Sequence, residues 1–379
     1  MNFELSEEQK MIRQAARDFA QTELKPGVIE RDEHQKFPTE QIKMLAELGF
    51  LGMMVSTEYG GSGLDTISYV LAIEEIAKVD ASAAVILSVN NSLVCYGIEK
   101  YGNEEQKQKY LVPLATGEKL GAFCLSEPEA GSDATSQHTT AVDMGDYYLL
   151  NGVKNWITNG NSASTYLVMA QTDASKRHHG INVLIVEKGM EGFTVGPKEN
   201  KMGIRSSDTH SLMFNDVKVP KQNRIGDDGF GFKFAMNTLD GGRIGIAAQA
   251  LGIASGAFEL STQYAKTRKA FGKTIADLQA TQFKLADMAT QIEAARLLCY
   301  KAAWLKDNHQ PYVEASAMAK LFASEVAMQT TIEAVQIHGG YGYVKEYHVE
   351  RMMRDAKITQ IYEGTSEIQR IVISREVLK

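Results

Sequence analysis

The amino-acid sequence predicts an α+β multidomain protein, because the spacing of its apolar residues changes twice along the chain. Roughly the first 120 residues carry apolar residues at helical spacing. Short β-branched runs separated by Gly, Asn and Asp follow, and helical spacing returns from about residue 229. We therefore expect an N-terminal helical domain over residues 1–120, a middle antiparallel β domain, barrel-like, over 121–228, and a C-terminal helical bundle over 229–379.

Local signals place elements within each region. Ser6 and Gln9 have the spacing of a capping box at the start of the first helix, and Asn103 is a candidate N-cap for a later one. The other N-terminal helices are expected over 38–48, 67–77 and 82–99. Strands are expected over 121–125, 139–142, 147–150, 165–170, 181–186 and 210–214, with a hairpin turn at 145–146. C-terminal helices are expected over 251–264, 280–304 and 313–336, which are rich in good helix formers.

Composition narrows the class of protein. A hydrophobic fraction of 44% and a charged fraction of 23% are ordinary for a globular chain of 379 residues. The net charge of -7 argues against broad binding to nucleic acid or to anionic membranes, which requires a basic surface. We expect no signal or transit peptide at residues 1–6 and no membrane span, because no run approaches the roughly 20 apolar residues that a span needs. Cys95, Cys124 and Cys299 are far apart in sequence, which indicates buried thiols in a reducing cytoplasm.

The most informative stretch is IYEGTSEIQR at residues 361–370. Ser366 and Gln369 have capping-box spacing, so a helix should begin there, and Gly364 gives the preceding turn its backbone freedom. Glu363 then lies in the turn, flanked by Tyr362 and an isoleucine rather than by cations. A carboxylate in apolar surroundings has a raised pKa and can act as a base near neutral pH. The alternative is that Glu363 only favours the helix dipole, which would lower its pKa.

Two stretches of the β region are candidate binding segments. FCLSEPEAGSDA at 123–134 is a strand that runs into a loop whose N–H groups and hydroxyls can hold a polar ring edge or a pyrophosphate, although most such loops only turn the chain. NWITNG at 155–160 puts Trp156 and Thr158 on one face of a strand. A tryptophan is more often part of a core than a platform for a cofactor, so both interpretations stay open.

Three further features have an ordinary structural explanation beside a functional one. The basic cluster at 264–273 closes a predicted helix and is equally consistent with a solvated helix terminus. The glycines of QIHGGYG at 336–342 let backbone approach a ligand closely, or simply end a helix. Asp240 and Arg243 lie three positions apart on one helical face, where a surface ion pair is the default interpretation.

Several common site motifs are missing from the sequence. No Gly-x-Gly-x-x-Gly follows a predicted strand, and neither a Walker A loop nor a Gly-x-Ser-x-Gly elbow occurs. No cluster of His, Cys and carboxylates has the spacing of metal ligands, so we predict no metal site.

With the preceding MRDAKIT at 353–359, the segment 361–370 resembles the C-terminal signature of the acyl-CoA dehydrogenases. The resemblance covers essentially the whole chain, and the α–β–α order matches the fold of that family, which implies a C-terminal four-helix bundle. The stretches SVNNSL at 88–93, TLDGGRIG at 238–245 and FKLADM at 283–288 look closest to the short-chain, butyryl-CoA branch.

The resemblance assigns roles to individual residues. Glu363 matches the glutamate that removes the α-proton of an acyl-CoA, while the β-hydrogen leaves as hydride to flavin N5. Substrate contacts are implied for Ser132, Asp240, Arg243, Tyr362 and Gly364. FAD contacts are implied for Phe123, Leu125, Ser126, Gly131, Ser132, Trp156, Ile157, Thr158, Arg268, Phe271, Leu278, Gln279, Gln336, Gly339, Gly340, Thr365 and Ser366.

The function that the resemblance implies is FAD-dependent α,β-dehydrogenation of a short-chain acyl-CoA, from butyryl-CoA to crotonyl-CoA or the reverse. Electrons would pass to an electron-transferring flavoprotein, and the expected assembly is a cytoplasmic homotetramer in which some FAD contacts come from a neighbouring protomer. The alternatives are an acyl-CoA oxidase-like enzyme and a redox-idle, flavin-bearing binding protein of the same fold.

Overall fold

The structure, a computed structural model, describes residues 4–379. Residues 1–3, which begin the predicted first domain and the segment expected to hold no signal peptide, lie outside the described residues. The N-terminal region is helical, as predicted. Its helices are α1 Glu7–Phe19, α2 Val28–Glu33, α3 Thr39–Glu47, α4 Thr66–Ala77, α5 Ala81–Ser88, α6 Tyr96–Tyr101, α7 Glu104–Gln106 and α8 Val112–Ala115, with π-helical turns at Ala20–Leu24, Val89–Cys95 and Lys107–Leu111.

The predicted caps are confirmed. Ser6 Oγ accepts the N–H of Gln9 at 3.1 Å, and the Gln9 amide oxygen accepts the N–H of Ser6 at 3.0 Å. Asn103 forms the same reciprocal pair with Gln106. Both pairs satisfy backbone donors that the first turn of a helix leaves without partners, so the chain enters these helices at defined residues.

The middle region forms one mixed sheet rather than the purely antiparallel one that was predicted. The strands are β1 Gly121–Cys124, β2 Thr140–Asp143, β3 Tyr147–Thr158, β4 Thr165–Gln171, β5 Ile181–Glu187, β6 Phe193–Lys198, β7 Thr209–Pro220 and β8 Arg224–Ile225. Strand β1 pairs parallel to β4, and β2 makes a parallel contact with β4, while the other pairings are antiparallel in the order β6-β7-β3-β2-β4-β5-β8. Strands β6 and β8 were missed; β6 carries Gly196 and Pro197 and has no alternating pattern, and β8 has only two residues.

The C-terminal region is helical and is joined to α4 through small residues. A Cβ at Gly252 or at Gly256 would come within 2.4 Å of the carbonyl oxygen of Glu74 or of Lys78, so only glycine lets the two helices approach this closely. Glycines of low helix propensity also explain why the long first helix was predicted to begin only at residue 251. The elements are α9 Gly231–Thr267, the small hairpin β9 Lys269–Ala270 and β10 Lys273–Thr274, α10 Gln279–Asp307, α11 Val313–His338, α12 His348–Ile358 and α13 Ser366–Val377.

Two helical stretches correct the expectation about apolar runs. Ala81–Tyr101 and Gly231–Thr267 are long and apolar enough to cross a membrane by length and composition alone. Their most apolar windows are 94% and 83% buried inside the protein, so packing against other helices accounts for their apolar character. The three cysteines are free and buried, as predicted. The domain boundaries at 120/121 and 228/229 stay a prediction.

Candidate active site

The turn that carries Glu363 lies between α12 and α13 and has a left-handed backbone. Glu363 has φ 51° and Gly364 has φ 90°. A left-handed conformation is uncommon for a residue with a side chain and persists only where the surrounding structure holds it. The strained backbone at Glu363 therefore indicates a functional turn.

The Glu363 carboxylate faces α9. An ideal Cβ on Gly242 would lie 2.2 Å from Glu363 Oε2 and 2.7 Å from a methyl carbon of Leu93, so the carboxylate occupies space that only a glycine leaves free. Glu363 is half-buried as a residue, but its Oε2 atom is shielded from solvent and has no hydrogen-bond partner. Burial raises its pKa to about 7, against the opposing effect of the positive charges of Lys320 and Arg243. The sequence neighbours are apolar, as noted above, but these two cations come from other helices.

The two carbonyl groups of the turn are held from behind. The amide nitrogen of Gln369 donates to the carbonyl oxygens of Glu363 at 3.1 Å and of Gly364 at 2.9 Å. The predicted capping box of Ser366 and Gln369 is therefore wrong. Thr365 is the N-cap of α13, and its hydroxyl accepts the N–H of Ile368. The Gln369 amide instead forms hydrogen bonds to the turn, whose carbonyl groups lie outside the helices and need partners.

Arg243 and Asp240 form an ion pair below the surface, not the exposed pair that is the default for such spacing. Arg243 is 5% exposed, and its Nη1 donates to the Asp240 carboxylate. Burial raises the pKa of Asp240, against the effect of Arg243. Near this pair, buried polar atoms without a hydrogen-bond partner gather about the turn. They are Glu363 Oε2, Arg243 Nε, Ser366 Oγ and Gln369 Oε1. Buried polar groups are normally paired, so this concentration indicates a place where a ligand supplies partners.

One turn further along α9, polar side chains close the space beside Gly245. A Cβ there would lie 2.4 Å from the Tyr69 hydroxyl and 2.5 Å from Ser88 Oγ, and these two groups are hydrogen-bonded at 3.0 Å. Tyr362 donates to the side chain of Gln249 on the same helix. Sequence reasoning missed Tyr69, Gln249, Lys320 and Gln369 as site residues. A buried polar residue within an alanine-rich apolar helix, as at Gln249 and Lys320, was the available signal.

The candidate loop of the β domain is tied to strand β3 by a buried lysine. Lys154 Nζ donates to the Leu125 carbonyl at 3.1 Å and to Glu127 Oε1 at 2.7 Å, and both charged residues are at most 2% exposed. The N–H of Asn155 donates to the carbonyl of Ser126 at 2.8 Å. Phe123 stacks on Phe234 of α9 with ring centroids 6.4 Å apart. The start of the loop is therefore fixed between the sheet and α9, whereas Gly131 and Ser132 further along are exposed.

Trp156 is not a core residue. Its φ is 56°, at a β-bulge where the pairing of β3 with β7 shifts register, and its side chain is 56% exposed. Ile157 is buried in the core of the sheet, and Thr158 is half-buried. The bulge thus turns the indole ring outward from the strand, two residues before Thr158.

A groove of about 510 Å³ lies where α9 ends against the end of α11. The Arg268 guanidinium stands 5.4 Å above the ring of Tyr341, and Tyr264 stacks on His338 at 4.3 Å. In front of Gly339 and Gly340 nothing lies within 4 Å of the position a Cβ would take. The groove therefore combines a cation, an aromatic wall and open backbone.

The other residues predicted near this groove extend from it. Phe271 is 91% exposed at the tip of the β9–β10 hairpin, Gln279 begins α10, and Gln336 is exposed on α11. Leu278 is the half-buried N-cap residue of α10. Among residues 4–379, no hydrogen bond or ion pair joins this set to Glu363 or to Trp156. Over the same residues, no group of three or more His, Cys, Asp or Glu side chains is placed to hold a metal ion.

Comparison with known proteins identifies the fold. Family models match three segments of the chain: acyl-CoA dehydrogenase N-terminal domain over residues 6–118, middle domain over 122–217 and C-terminal domain over 229–378. The chain is 53% identical over 379 residues to the short-chain specific acyl-CoA dehydrogenase of Clostridium acetobutylicum, covering 100% of both. It is 51% identical over 376 residues to the mitochondrial short-chain specific enzyme of Mus musculus, covering 99% of this chain and 91% of that one.

Two solved structures are very similar. Butyryl-CoA dehydrogenase from Megasphaera elsdenii superposes with a TM-score of 0.98 at 52% identity, covering 100% of both chains. A chain solved in work on the electron transferring flavoprotein of Acidaminococcus fermentans and flavin-based electron bifurcation superposes with a TM-score of 0.99 at 55% identity, also over 100% of both. The chain therefore belongs to the acyl-CoA dehydrogenases, an FAD-dependent family of oxidoreductases that act on CH–CH groups.

Proposed function

We propose that this chain catalyses the α,β-dehydrogenation of a short-chain acyl-CoA, butyryl-CoA being the reference substrate, with Glu363 as the base that takes the α-proton. The observation that carries the proposal is the Oε2 atom of Glu363, which is buried, lacks a hydrogen-bond partner and faces Gly242. A base with a pKa of about 7 is ionised often enough near neutral pH to accept a proton and is basic enough to hold it.

The α-proton of a thioester is only feebly acidic, so its carbonyl oxygen must be stabilised as negative charge develops. The backbone N–H of Glu363 donates no hydrogen bond to another residue among 4–379. It is therefore free to donate to the thioester carbonyl, beside the carboxylate that takes the proton. We assign substrate contacts to Tyr362, Gly364, Asp240 and Arg243 around the base, and to Ser132 at the β-domain loop.

The protein offers surfaces that fit FAD. Trp156 presents an exposed ring beside the Thr158 hydroxyl, and the space in front of Gly131, Gly339 and Gly340 is open. Bound FAD supplies the acceptor for the β-hydrogen of the acyl chain. The residues that would hold it on one protomer are Phe123, Leu125, Ser126, Gly131, Ser132, Trp156, Ile157, Thr158, Thr365 and Ser366, and those reaching it from a neighbour are Arg268, Phe271, Leu278, Gln279, Gln336, Gly339 and Gly340.

This division between protomers requires an oligomer, which we propose to be a homotetramer. The groove of Arg268 has no hydrogen bond or ion pair to the Trp156 strand within residues 4–379, and Phe271 is 91% exposed on its hairpin. We propose that Phe271 contacts a neighbouring protomer.

A short acyl chain fits the closed end of the site. Tyr69 and Ser88 fill the space beside Gly245, where a longer chain would have to displace two hydrogen-bonded hydroxyl groups. The relatives from Clostridium acetobutylicum and Mus musculus carry the description short-chain specific. We further propose a cytoplasmic enzyme that exchanges electrons with an electron-transferring flavoprotein, to which the similar Acidaminococcus fermentans chain points.

Replacing the base tests the proposal. Glu363→Gln preserves the shape of the side chain but cannot accept the proton, so flavin reduction by butyryl-CoA should slow by about 10²–10⁴-fold. Flavin content and butyryl-CoA affinity should stay close to wild type. A variant that reduces its flavin at the wild-type rate would place the base elsewhere.

A further inference from the structure

Helix α11 places one lysine directly behind the turn of the proposed base. Lys320 is 0% exposed, and its Nζ donates to the carbonyl oxygen of Gly364 at 2.7 Å. Ala317, Ala319 and Ala323 of the same helix are also buried. Among residues 4–379, Lys320 forms no ion pair within 4.0 Å. Burying an ammonium group without a close carboxylate destabilises the folded state, so a lysine at this position is better explained by a functional role than by a contribution to stability.

The hydrogen bond acts on the strained part of the backbone. Gly364 follows Glu363 in the left-handed turn, and its carbonyl receives two donors, Lys320 Nζ at 2.7 Å and the Gln369 amide at 2.9 Å. Lys320 comes from α11 and Gln369 from α13, so the carbonyl is fixed between two helices. Fixing this carbonyl holds the peptide unit that follows Gly364, and with it one side of the left-handed turn that contains Glu363.

We propose that Lys320 is a positioning residue for Glu363. It holds the left-handed turn through the Gly364 carbonyl, and its positive charge acts on the ionised carboxylate from beyond ion-pair distance. This inference rests on the proposed function of Glu363 as the base. Lys320 itself exchanges no proton with the substrate in this account.

The charge has a definite direction of effect. Burial raises the pKa of Glu363 to about 7. The positive charges of Lys320 and Arg243 oppose this rise, and Lys320 has the larger effect. Burial likewise lowers the pKa of Lys320 to about 7, which Glu363 opposes and Arg243 reinforces. The other titratable groups coupled to Lys320 or Glu363 are Tyr69 on α4, Glu367 on α13 and Tyr362 in the turn, while Asp240 on α9 is paired with Arg243. Removing Lys320 therefore raises the pKa of Glu363, so that the base ionises at higher pH.

Two variants of similar size separate the charge from the hydrogen bond. Lys320→Met removes both, whereas Gln369→Met removes a neutral donor that serves the Gly364 carbonyl and also the Glu363 carbonyl. The measurement is the rate of flavin reduction by saturating butyryl-CoA, taken anaerobically from pH 6 to pH 9 on the flavinated enzyme. We expect both variants to be slowed at least about 10-fold at pH 7 through loss of preorganisation. Only Lys320→Met should move the acidic limb of the profile upward, by about one pH unit or more.

Two further variants keep the test independent of folding. Lys320→Gln can still donate to Gly364 without a charge, so it should keep more of the maximal rate than Lys320→Met while showing the same upward shift. Lys320→Arg should keep the limb near its wild-type position. Flavin absorbance and melting temperature report whether each variant is folded.

The outcomes are distinct. An acidic limb unchanged in Lys320→Met and Lys320→Gln, or a loss of rate that is the same at every pH, would show that the lysine only fills space and would overturn the proposal. Failure of the wild-type enzyme to reduce its flavin with any acyl-CoA would overturn the proposed function itself, and the inference with it.

Discussion

Glu363 Oε2 lies 2.2 Å from the position that a Cβ on Gly242 would occupy. Helix α9 therefore has room for the carboxylate of the proposed base because Gly242 has no side chain. The next residue back, Gly241, has no such restriction: a Cβ there would meet Lys306 Nζ at 3.5 Å and the Ser92 carbonyl at 4.0 Å, both ordinary contacts. Two adjacent glycines of one helix thus differ sharply in what an added methyl group would displace.

We predict that Gly242→Ala displaces the Glu363 carboxylate and slows flavin reduction by butyryl-CoA at least about 100-fold, since small misplacements of reacting groups cost this much. Gly241→Ala is the matched control and should keep activity near wild type. Both substitutions favour the helix by up to about 1 kcal/mol, so neither should unfold it. Equal rates in the two variants would show that the carboxylate does not need the space beside Gly242.

The activity should depend on pH through Glu363. Burial raises its pKa to about 7, so the carboxylate is protonated below that pH and cannot take a proton from the substrate. We predict that the rate of flavin reduction rises about tenfold per pH unit below pH 6 and levels off above about pH 8. Stopped-flow measurement under saturating butyryl-CoA gives the profile. A rate that is flat from pH 5 to pH 9 would mean that the base titrates near the ordinary value for a glutamate.

Arg268→Ala should weaken FAD retention and the oligomer together. The guanidinium stands over Tyr341 in the groove proposed to receive the FAD of a neighbouring protomer. Gel filtration and flavin absorbance on the same sample measure both effects, with Lys266→Ala, an exposed residue in the last turn of α9, as the control. A fully flavinated monomer, of wild type or variant, would contradict the shared site.

A buried ion pair joins the three regions of the chain. Arg351 donates to Asp355 Oδ2 at 2.6 Å and to the Val79 carbonyl at 2.8 Å, and the other oxygen of Asp355 accepts the N–H of Ile204. Burial raises the pKa of Asp355 to about 6, against the opposing effect of Arg351. The arginine therefore keeps the carboxylate from being a buried, uncompensated charge.

We predict that Arg351→Met lowers the free energy of unfolding by about 3–5 kcal/mol, the usual cost of breaking a buried pair from one side. Without the arginine the pKa of Asp355 rises further in the folded state, and the unfolded chain releases the proton from about pH 4 upward. The loss should therefore be greater at pH 8 than at pH 5 in denaturant titrations. Lys357→Met, an exposed position on the same helix, serves as the control. A loss independent of pH would exclude Asp355 as the cause.

The sequence allowed most elements to be placed, and the exceptions have physical causes. Strand 181–187 and helix 66–77 are rich in apolar residues and were predicted to within one residue. The parallel pairing of β1 with β4 is a tertiary choice that neither strand encodes alone. The start of α9 was hidden by Gly241, Gly242 and Gly245, which read as helix breakers but make room for neighbouring side chains.

The candidate site shows a similar division. Glu363 and its turn stand in one recognisable segment, so sequence alone brought them forward. Lys320 contacts that turn from α11, which is distant in sequence, and Gln369 contacts it from the adjacent α13. The sequence prediction wrongly assigned the Gln369 side chain to a helix cap. Their roles depend on which carbonyl group they meet, and only the folded chain supplies that contact.

The most direct test of the account is anaerobic titration of the flavinated wild-type enzyme with acyl-CoA substrates of increasing chain length. A site closed near Tyr69 and Ser88 should accept about four carbons and reject longer chains by steric exclusion, since each further buried methylene would otherwise add roughly 0.8 kcal/mol of binding. We predict that butyryl-CoA bleaches the flavin absorbance fastest and octanoyl-CoA much more slowly. Faster bleaching by octanoyl-CoA would contradict the short-chain assignment, and a flavin that no acyl-CoA bleaches would contradict the proposed dehydrogenation itself.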